Sequence, residues 1–346
     1  MPSTLLTGAN SFVAAHIINA LIEAGHHVTG TVRRASSADE IFALHPEWKD
    51  HLDIVVVDDF TNQTRWEDLF KTNQFDHVAH VAAPLVDIPG TTDYDTHFYH
   101  PNVEGNLSLL RAAHNFGSPS LKSIVVTGSI NAATTGSPDE LSAGPITSTT
   151  WVPISQDEAR ALKSNAYMSY CSGKKEGEHA IWNFVEQQKP TFSVTVFLPA
   201  LIFGPPIEPL HGGVKGLHYS AGVIYSLING TYDKIPDTTF PSYIDVRDLA
   251  TAHVRALTEE RVKNKRLLIG GRKSTYTDLV RGLGKAEVLK GRKLPEESGE
   301  DLRVTLARIE ADEANTILMG GEGGFRSLEV TMRDTAERLV ELEREG

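Results

Sequence analysis

Cysteine is nearly absent from this 346-residue chain, and the single one, Cys171, excludes an internal disulfide and any cysteine-rich metal site. Basic residues are outnumbered: 33 Lys and Arg stand against 45 Asp and Glu, for a net charge of -12. That balance disfavours nucleic-acid or anionic-membrane binding, both of which want a basic face. It leaves room for a small anionic cofactor, which needs only one local basic patch. No apolar run approaches the length of a membrane span. The segment Met1-Pro2-Ser3-Thr4-Leu5-Leu6 lacks the basic and apolar regions of a signal peptide. A cytoplasmic protein is expected, as monomer or homodimer. There is no internal repeat and no low-complexity tract. What is present, 40% apolar and 23% charged residues, is the composition of an ordinary globular chain. Its length suits one large domain with a smaller lobe.

The first half alternates between strand and helix patterns. Apolar runs at Thr4–Thr7, His27–Arg33, Leu52–Val57, His77–Ala83, Ser123–Thr127 and Phe192–Leu198 predict six strands. Between the first two, Val13, Ile17, Leu21 and Ala14, Ile18, Ile22 recur at spacings of four, a helix closed by Gly25. Further helices are expected at about 102–115 and 157–188. Strands that are solidly apolar are buried on both faces. Alternating with helices, they predict an α/β fold with a doubly wound parallel sheet (a Rossmann fold), whose ligands bind at the carboxyl ends of the strands. After Pro199 the alternation breaks. Residues 1–200 plus 239–262 are assigned to the Rossmann domain, with 240–257 returning to the main sheet. Residues 201–238 plus 263–346 are assigned to a smaller C-terminal substrate lobe.

Three features carry chemistry. The turn Thr7-Gly8-Ala9-Asn10-Ser11-Phe12-Val13-Ala14 falls between strand one and helix one, where backbone amides at a helix N-terminus can meet a pyrophosphate. The second strand ends in Arg33-Arg34, and the first acid is Asp39. A guanidinium there suits the 2′-phosphate of NADP(H), whereas an NAD site wants a carboxylate. Asp59, after strand three, is placed to meet the adenine. Finally, Ser129 follows strand five, and Tyr170 and Lys174 are four apart in a helix, hence on one face. Of nine tyrosines, only Tyr170 has a lysine four residues later. A tyrosine hydroxyl can protonate a carbonyl oxygen as hydride reaches carbon, and a nearby ammonium lowers its pKa for that task. Ser129 would hold the carbonyl in line.

With these residues in view, the chain resembles the extended short-chain dehydrogenase/reductases of the NAD(P)-dependent epimerase/dehydratase superfamily. It is most similar to the branch of methylglyoxal, ketone, dihydroflavonol and cinnamoyl-CoA reductases. The matching stretches are Thr7–Ala14, Thr31–Arg33, His80-Val81-Ala82-Ala83-Pro84, Tyr170–Lys175 and Ser242–Asp248. The resemblance implies a catalytic triad of Ser129, Tyr170 and Lys174. It implies a phosphate turn at Gly8, Asn10, Ser11, Phe12 and Val13, and Arg33 at the 2′-phosphate. Asp59 with Phe60 would lie at the adenine and Ala82 at the ribose. Thr127, Pro199 and Ala200 would border the nicotinamide, Ser220 a phosphate, and Asn102 the back of the site. Two positions depart from the family: Ser11 and Gly128 stand where Gly and Ser are usual.

The function expected is NADPH-dependent reduction of a ketone or aldehyde. Leu85, Val86, Ile130, Ala200 and the loop 203–219 would line a largely apolar substrate pocket. Two other enzymes remain open on the same fold, a sugar-nucleotide epimerase and a hydroxysteroid-type dehydrogenase, as does a non-catalytic NADP-sensing regulator. Ile130-Asn131 after the serine argues against a dehydratase, which needs an acidic pair there. The fourteen histidines form no ligand pattern, so no metal is expected; His77 and His80, three apart on a strand, face opposite sides.

Overall fold

Among the described residues ten strands form, most from short apolar runs: β1 (Ser3–Leu6), β2 (His27–Val32), β3 (Leu52–Val56), β4 (His77–His80), β5 (Ser123–Thr127), β6 (Ser193–Pro199), β7 (Leu201–Phe203), β8 (Ser242–Asp245), β9 (Arg266–Ile269) and β10 (Arg272–Lys273). Seven of them pair in parallel in the order β3-β2-β1-β4-β5-β6-β9. The register sets Leu5 beside both Thr29 and Val78, and Val78 beside Ile124. The remaining three form a small sheet, β10-β8-β7. This computed structural model describes residues 1–83, 93–117, 119–162, 165–297 and 307–345.

The helices are α1 (Phe12–Glu23), α2 (Ser36–Leu44), α3 (Gln63–Thr72), α4 (His100–Phe116), α5 (Pro138–Ala143), α6 (Gln156–Ala161), α7 (Ala166–Gln188), α8 (Tyr219–Ile228), α9 (Val246–Ala256), α10 (Tyr276–Leu283), α11 (Asp312–Met319) and α12 (Leu328–Glu345). One face of the main sheet packs on α3, α4 and α7 through Val78, Leu109, Ile124 and Ile181. The other packs on α1, α9 and α11 through Leu6, Ile17, Leu249 and Leu318. A separate core joins α8, α10 and α12. The doubly wound sheet is therefore as expected, and its strand order reverses between β1 and β4. That switch point is where such sheets bind ligands. No helix among the described residues is long and apolar enough to cross a membrane.

Three expectations are corrected. The segment 240–257 does not return to the main sheet: β8 pairs with β7 and β10, and only α9 packs back on α1. The strand that does return is β9, in the segment assigned to the smaller lobe. Both β8 and most of β9 are buried, so hydrophobicity could not tell which sheet each joins. The helix expected at 157–188 is two helices. Leu162 leaves helical geometry, and Asn165 restarts the helix by accepting from Met168 N at 3.2 Å.

Candidate active site

Gly8 takes φ +73°, and a Cβ there would lie 3.3 Å from that of Ala82. The turn is fixed from both flanking strands. Gly8 N donates to Thr31 Oγ1 at 3.3 Å and Ala9 N to Thr31 O at 2.8 Å. The hydroxyl of Thr7 accepts from Val81 N and Ala82 N, each at 2.9 Å. With both lone pairs used, its proton goes to His80 Nδ1, 2.9 Å away. His80 then donates from Nε2 to Asn106 Oδ1 at 3.0 Å, and Asn106 donates to Gly177 O at 3.1 Å. This chain of bonds ties the turn to α7. Burial drives the His80 pKa down to about 4. Sequence reasoning set His80 aside, because its partners come from β1 and α4.

Ser11 is the N-cap of α1 but makes no side-chain capping bond, and its side chain is exposed. The amides of the first helical turn have no partner within the helix. Arg33 lies just past β2, exposed and without an ion pair among the described residues. Asp59 holds a turn, accepting from Thr61 N at 2.9 Å and Thr61 Oγ1 at 2.7 Å. Phe60 packs against Gly105 of α4. Ser220 lies in the first turn of α8, 3.2 Å from His218 Nδ1, and the His218 ring stacks on Phe12 at 3.9 Å. The loop leading to it is tied to α1 by His16, which bonds Pro205 O at 2.9 Å, and to the end of α2 by His45, which bonds Ile207 O at 2.7 Å.

Past β5, a Cβ on Gly128 would sit 2.8 Å from Phe197 O. Glycine is therefore what this close strand crossing accepts. Ser129 Oγ accepts from Asn131 N at 3.2 Å and donates to Asn131 Oδ1 at 3.4 Å, and its hydroxyl neighbours Tyr170. Asn131 is in turn held by Tyr167, whose hydroxyl accepts from Asn131 Nδ2 at 2.7 Å and donates to Thr135 O at 2.7 Å. The Lys174 ammonium lies over the Tyr170 ring, 5.6 Å from its centre. Burial lowers the Lys174 pKa to about 8, against the opposing charge of Glu178. Desolvation pushes Tyr170 up to about 12, with the neighbouring Ser129 hydroxyl working against it. In the protein alone, then, the expected lowering of Tyr170 by Lys174 is not met. Desolvation of the phenolate is the largest effect on Tyr170.

The structure thus brings Ser129, Tyr170 and Lys174 together beside the switch point. Ile130 and Ala200, expected in the substrate pocket, are buried in the core on the α4 and α7 side of the sheet. Leu85 and Val86 lie outside the described residues. His77 bonds Ser123 Oγ at 2.9 Å, and no group of three or more potential ligands is poised to hold a metal among the described residues.

Fold and site together define a doubly wound α/β protein with a helix-capped glycine turn and a Ser–Tyr–Lys cluster at adjoining strand ends. The chain belongs to the NAD dependent epimerase/dehydratase family, whose profile matches residues 4–270. Within it, the chain is 28% identical over 352 residues to the NADPH-dependent methylglyoxal reductase of Saccharomyces cerevisiae, covering 99% of each. It is 31% identical over 274 residues to a ketoreductase of Aspergillus niger, covering 76% of this chain and 75% of that one. Among solved structures, Gre2 of Candida albicans in complex with NADPH superposes with a TM-score of 0.85, at 27% identity over 99% of both chains.

Proposed function

We propose that this chain is an NADPH-dependent carbonyl reductase that converts a ketone or aldehyde to the alcohol, with Tyr170 as proton donor. The observation that carries this reading is the cluster of buried Ser129 and Lys174 with half-buried Tyr170 at the carboxyl end of β5, next to the glycine turn. A relative matched along 99% of its length, named as an NADPH-dependent methylglyoxal reductase, supports it.

The residues present fit the cofactor. A side chain at Gly8 would fill the cradle against Ala82, and the first-turn amides of α1 with the Ser11 hydroxyl are free to take a pyrophosphate. Arg33 would hold the 2′-phosphate. Asp59, Phe60, Ala82, Pro199, Ala200 and Ser220 would make the remaining contacts. When bound, NADPH supplies the hydride.

The chain's own residues do the rest. Ser129 donates to the carbonyl oxygen and sets it beside Tyr170. Tyr170 gives its proton to that oxygen as the carbon is reduced, leaving a phenolate. The Lys174 ammonium is the cation available to stabilise it. A phenol held near 12 in the protein alone is a reluctant acid, so proton transfer is favoured only once substrate and cofactor are in place.

A spectrophotometric screen of ketones and aldehydes against NADPH and NADH tests the reading. Turnover with NADPH is expected. No oxidation of either coenzyme by any carbonyl compound would overturn it. In the Tyr170→Phe variant, turnover should fall by roughly 10²–10⁴-fold while NADPH binding persists. Retained activity would remove Tyr170 as the donor.

A further inference from the structure

Behind Lys174 lies a small cavity of about 20 Å³, lined by His80, Asn102, Asn106, Thr127, Lys174 and Glu178, among others. It has room for about one water. Glu178 is one helical turn beyond Lys174 on α7 and only 4% exposed. Its Oε1 accepts from Arg266 Nε at 2.8 Å and from Trp182 Nε1 at 3.0 Å. Its Oε2 is buried with no hydrogen-bond partner. Arg266 comes from β9, stacks on Trp151 at 3.8 Å, and donates to Ser148 O at 2.9 Å and Thr150 O at 2.7 Å. A buried carboxylate is costly unless its charge is used or paired. Here one oxygen is fully paired, and the other belongs to a side chain that shares a wall with the Lys174 ammonium.

We infer that Glu178 is a positioning residue for the carbonyl reduction, the counter-ion that keeps the Lys174 ammonium charged, and that Arg266 in turn keeps Glu178 ionised. The inference rests on the catalytic reading of Lys174 given above. The surroundings leave Glu178 this task alone. From α7 itself, Tyr170 is a neutral phenol. From β4, His80 is neutral, because Nδ1 accepts from Thr7 and Nε2 donates to Asn106. From α4 come only Asn102 and Asn106. From α9, His253 bonds Thr127 Oγ1 at 2.8 Å and is held neutral by burial. Burial raises the Glu178 carboxyl above its usual range, and the paired Arg266 guanidinium, the Trp182 N–H and the Lys174 charge oppose that rise. Among the described groups around Lys174, Glu178 is the anion. Its charge is also the one that opposes the burial effect on Lys174.

Two measurements on the full-length protein test this. The first titrates the Lys174 amine by NMR of isotope-labelled lysine in the cofactor-free protein, with Lys174→Met as assignment. The second follows kcat/KM against pH, using NADPH and the best carbonyl from the screen. In Glu178→Gln, the Lys174 midpoint should fall by about one unit or more. The basic limb of kcat/KM should move down with it, costing about tenfold in rate just above the wild-type midpoint. A folded Glu178→Gln protein with an unchanged midpoint would overturn the inference. If that variant does not fold, Glu178→Asp decides: withdrawing the carboxylate by one methylene should move both readouts the same way by less, and no movement overturns it. Full activity in Lys174→Met would instead sink the catalytic reading and leave the titration of Lys174 to stand separately.

Discussion

Arg33 stands exposed just past the end of β2, with no carboxylate paired to it among the described residues. A guanidinium so placed costs nothing to keep and is free to fork a phosphate. Arg33→Ala should therefore raise the KM for NADPH by tenfold or more, a charge-assisted pair being worth roughly 1.5–3 kcal/mol. The KM for NADH should hardly move. Steady-state kinetics with both coenzymes check this, and equal changes in the two would remove Arg33 from the 2′-phosphate. The roles proposed for Arg33, Ser129, Tyr170 and Lys174 could be read from the sequence because that chemistry rests on local spacing and on the strand end each residue follows. Those of Thr7, His80, Asn106, Asn131 and Glu178 could not. Each acts through a partner on another strand or helix, or through burial, and a lone threonine or histidine carries no sign of either.

Helix α7 carries the proposed catalytic pair, and its placement depends on glycine. Gly173 and Gly177, four apart, make a shallow face into which Asn102 and Asn106 of α4 fit. A Cβ on Gly177 would lie 2.9 Å from both Asn102 Cβ and Asn102 O. Two effects oppose each other in Gly177→Ala. Alanine gains about 1 kcal/mol in helix propensity. Against this, overpacking of a rigid backbone contact costs about 1–3 kcal/mol. The contact involves a backbone oxygen, which cannot swing away, so the steric cost should win. Tm should fall by a few degrees, and turnover should drop with it as Asn106 loses its bond to Gly177 O. A Tm equal to or above wild type would show that α4 and α7 can separate freely. Strands β1 to β6 and α1 were legible from apolar runs and a period of four, whereas β7, β10 and the sheets that β8 and β9 join were not. The break between α6 and α7 was not, because a single Asn165 cap outweighs the helix-forming residues on either side.

Acid should unfold the whole molecule earlier than its carboxylates alone would require. His16, His77, His80 and His253 are buried and His218 is half-buried, and desolvation lowers each pKa to about 4. In the unfolded chain each returns to near 6.5. Between those values the unfolded state binds more protons, so stability present above about 6.5 is lost as the pH falls toward 4. Each histidine contributes on the order of 1–3 kcal/mol, and five together rival the ordinary stability of a domain, about 5–15 kcal/mol. Glu208 opposes them. Burial raises it to about 7, so the fold prefers it protonated, and stability falls as the pH rises from its unfolded value toward 7. Burial raises Glu178 and Asp248 as well, but these three carboxyls are outnumbered by the five histidines. Three of the histidines also join elements that meet only in the finished fold: His16 holds the Pro205 carbonyl, His80 the Thr7 hydroxyl and His253 the Thr127 hydroxyl. Their protonation should therefore break the structure cooperatively rather than loosen one loop. Tm followed from pH 7 downward should fall steadily through the window between about 6.5 and 4, with far-ultraviolet and near-ultraviolet signals lost together. A Tm that stayed level until the carboxylate range would show that these rings protonate without unfolding the chain.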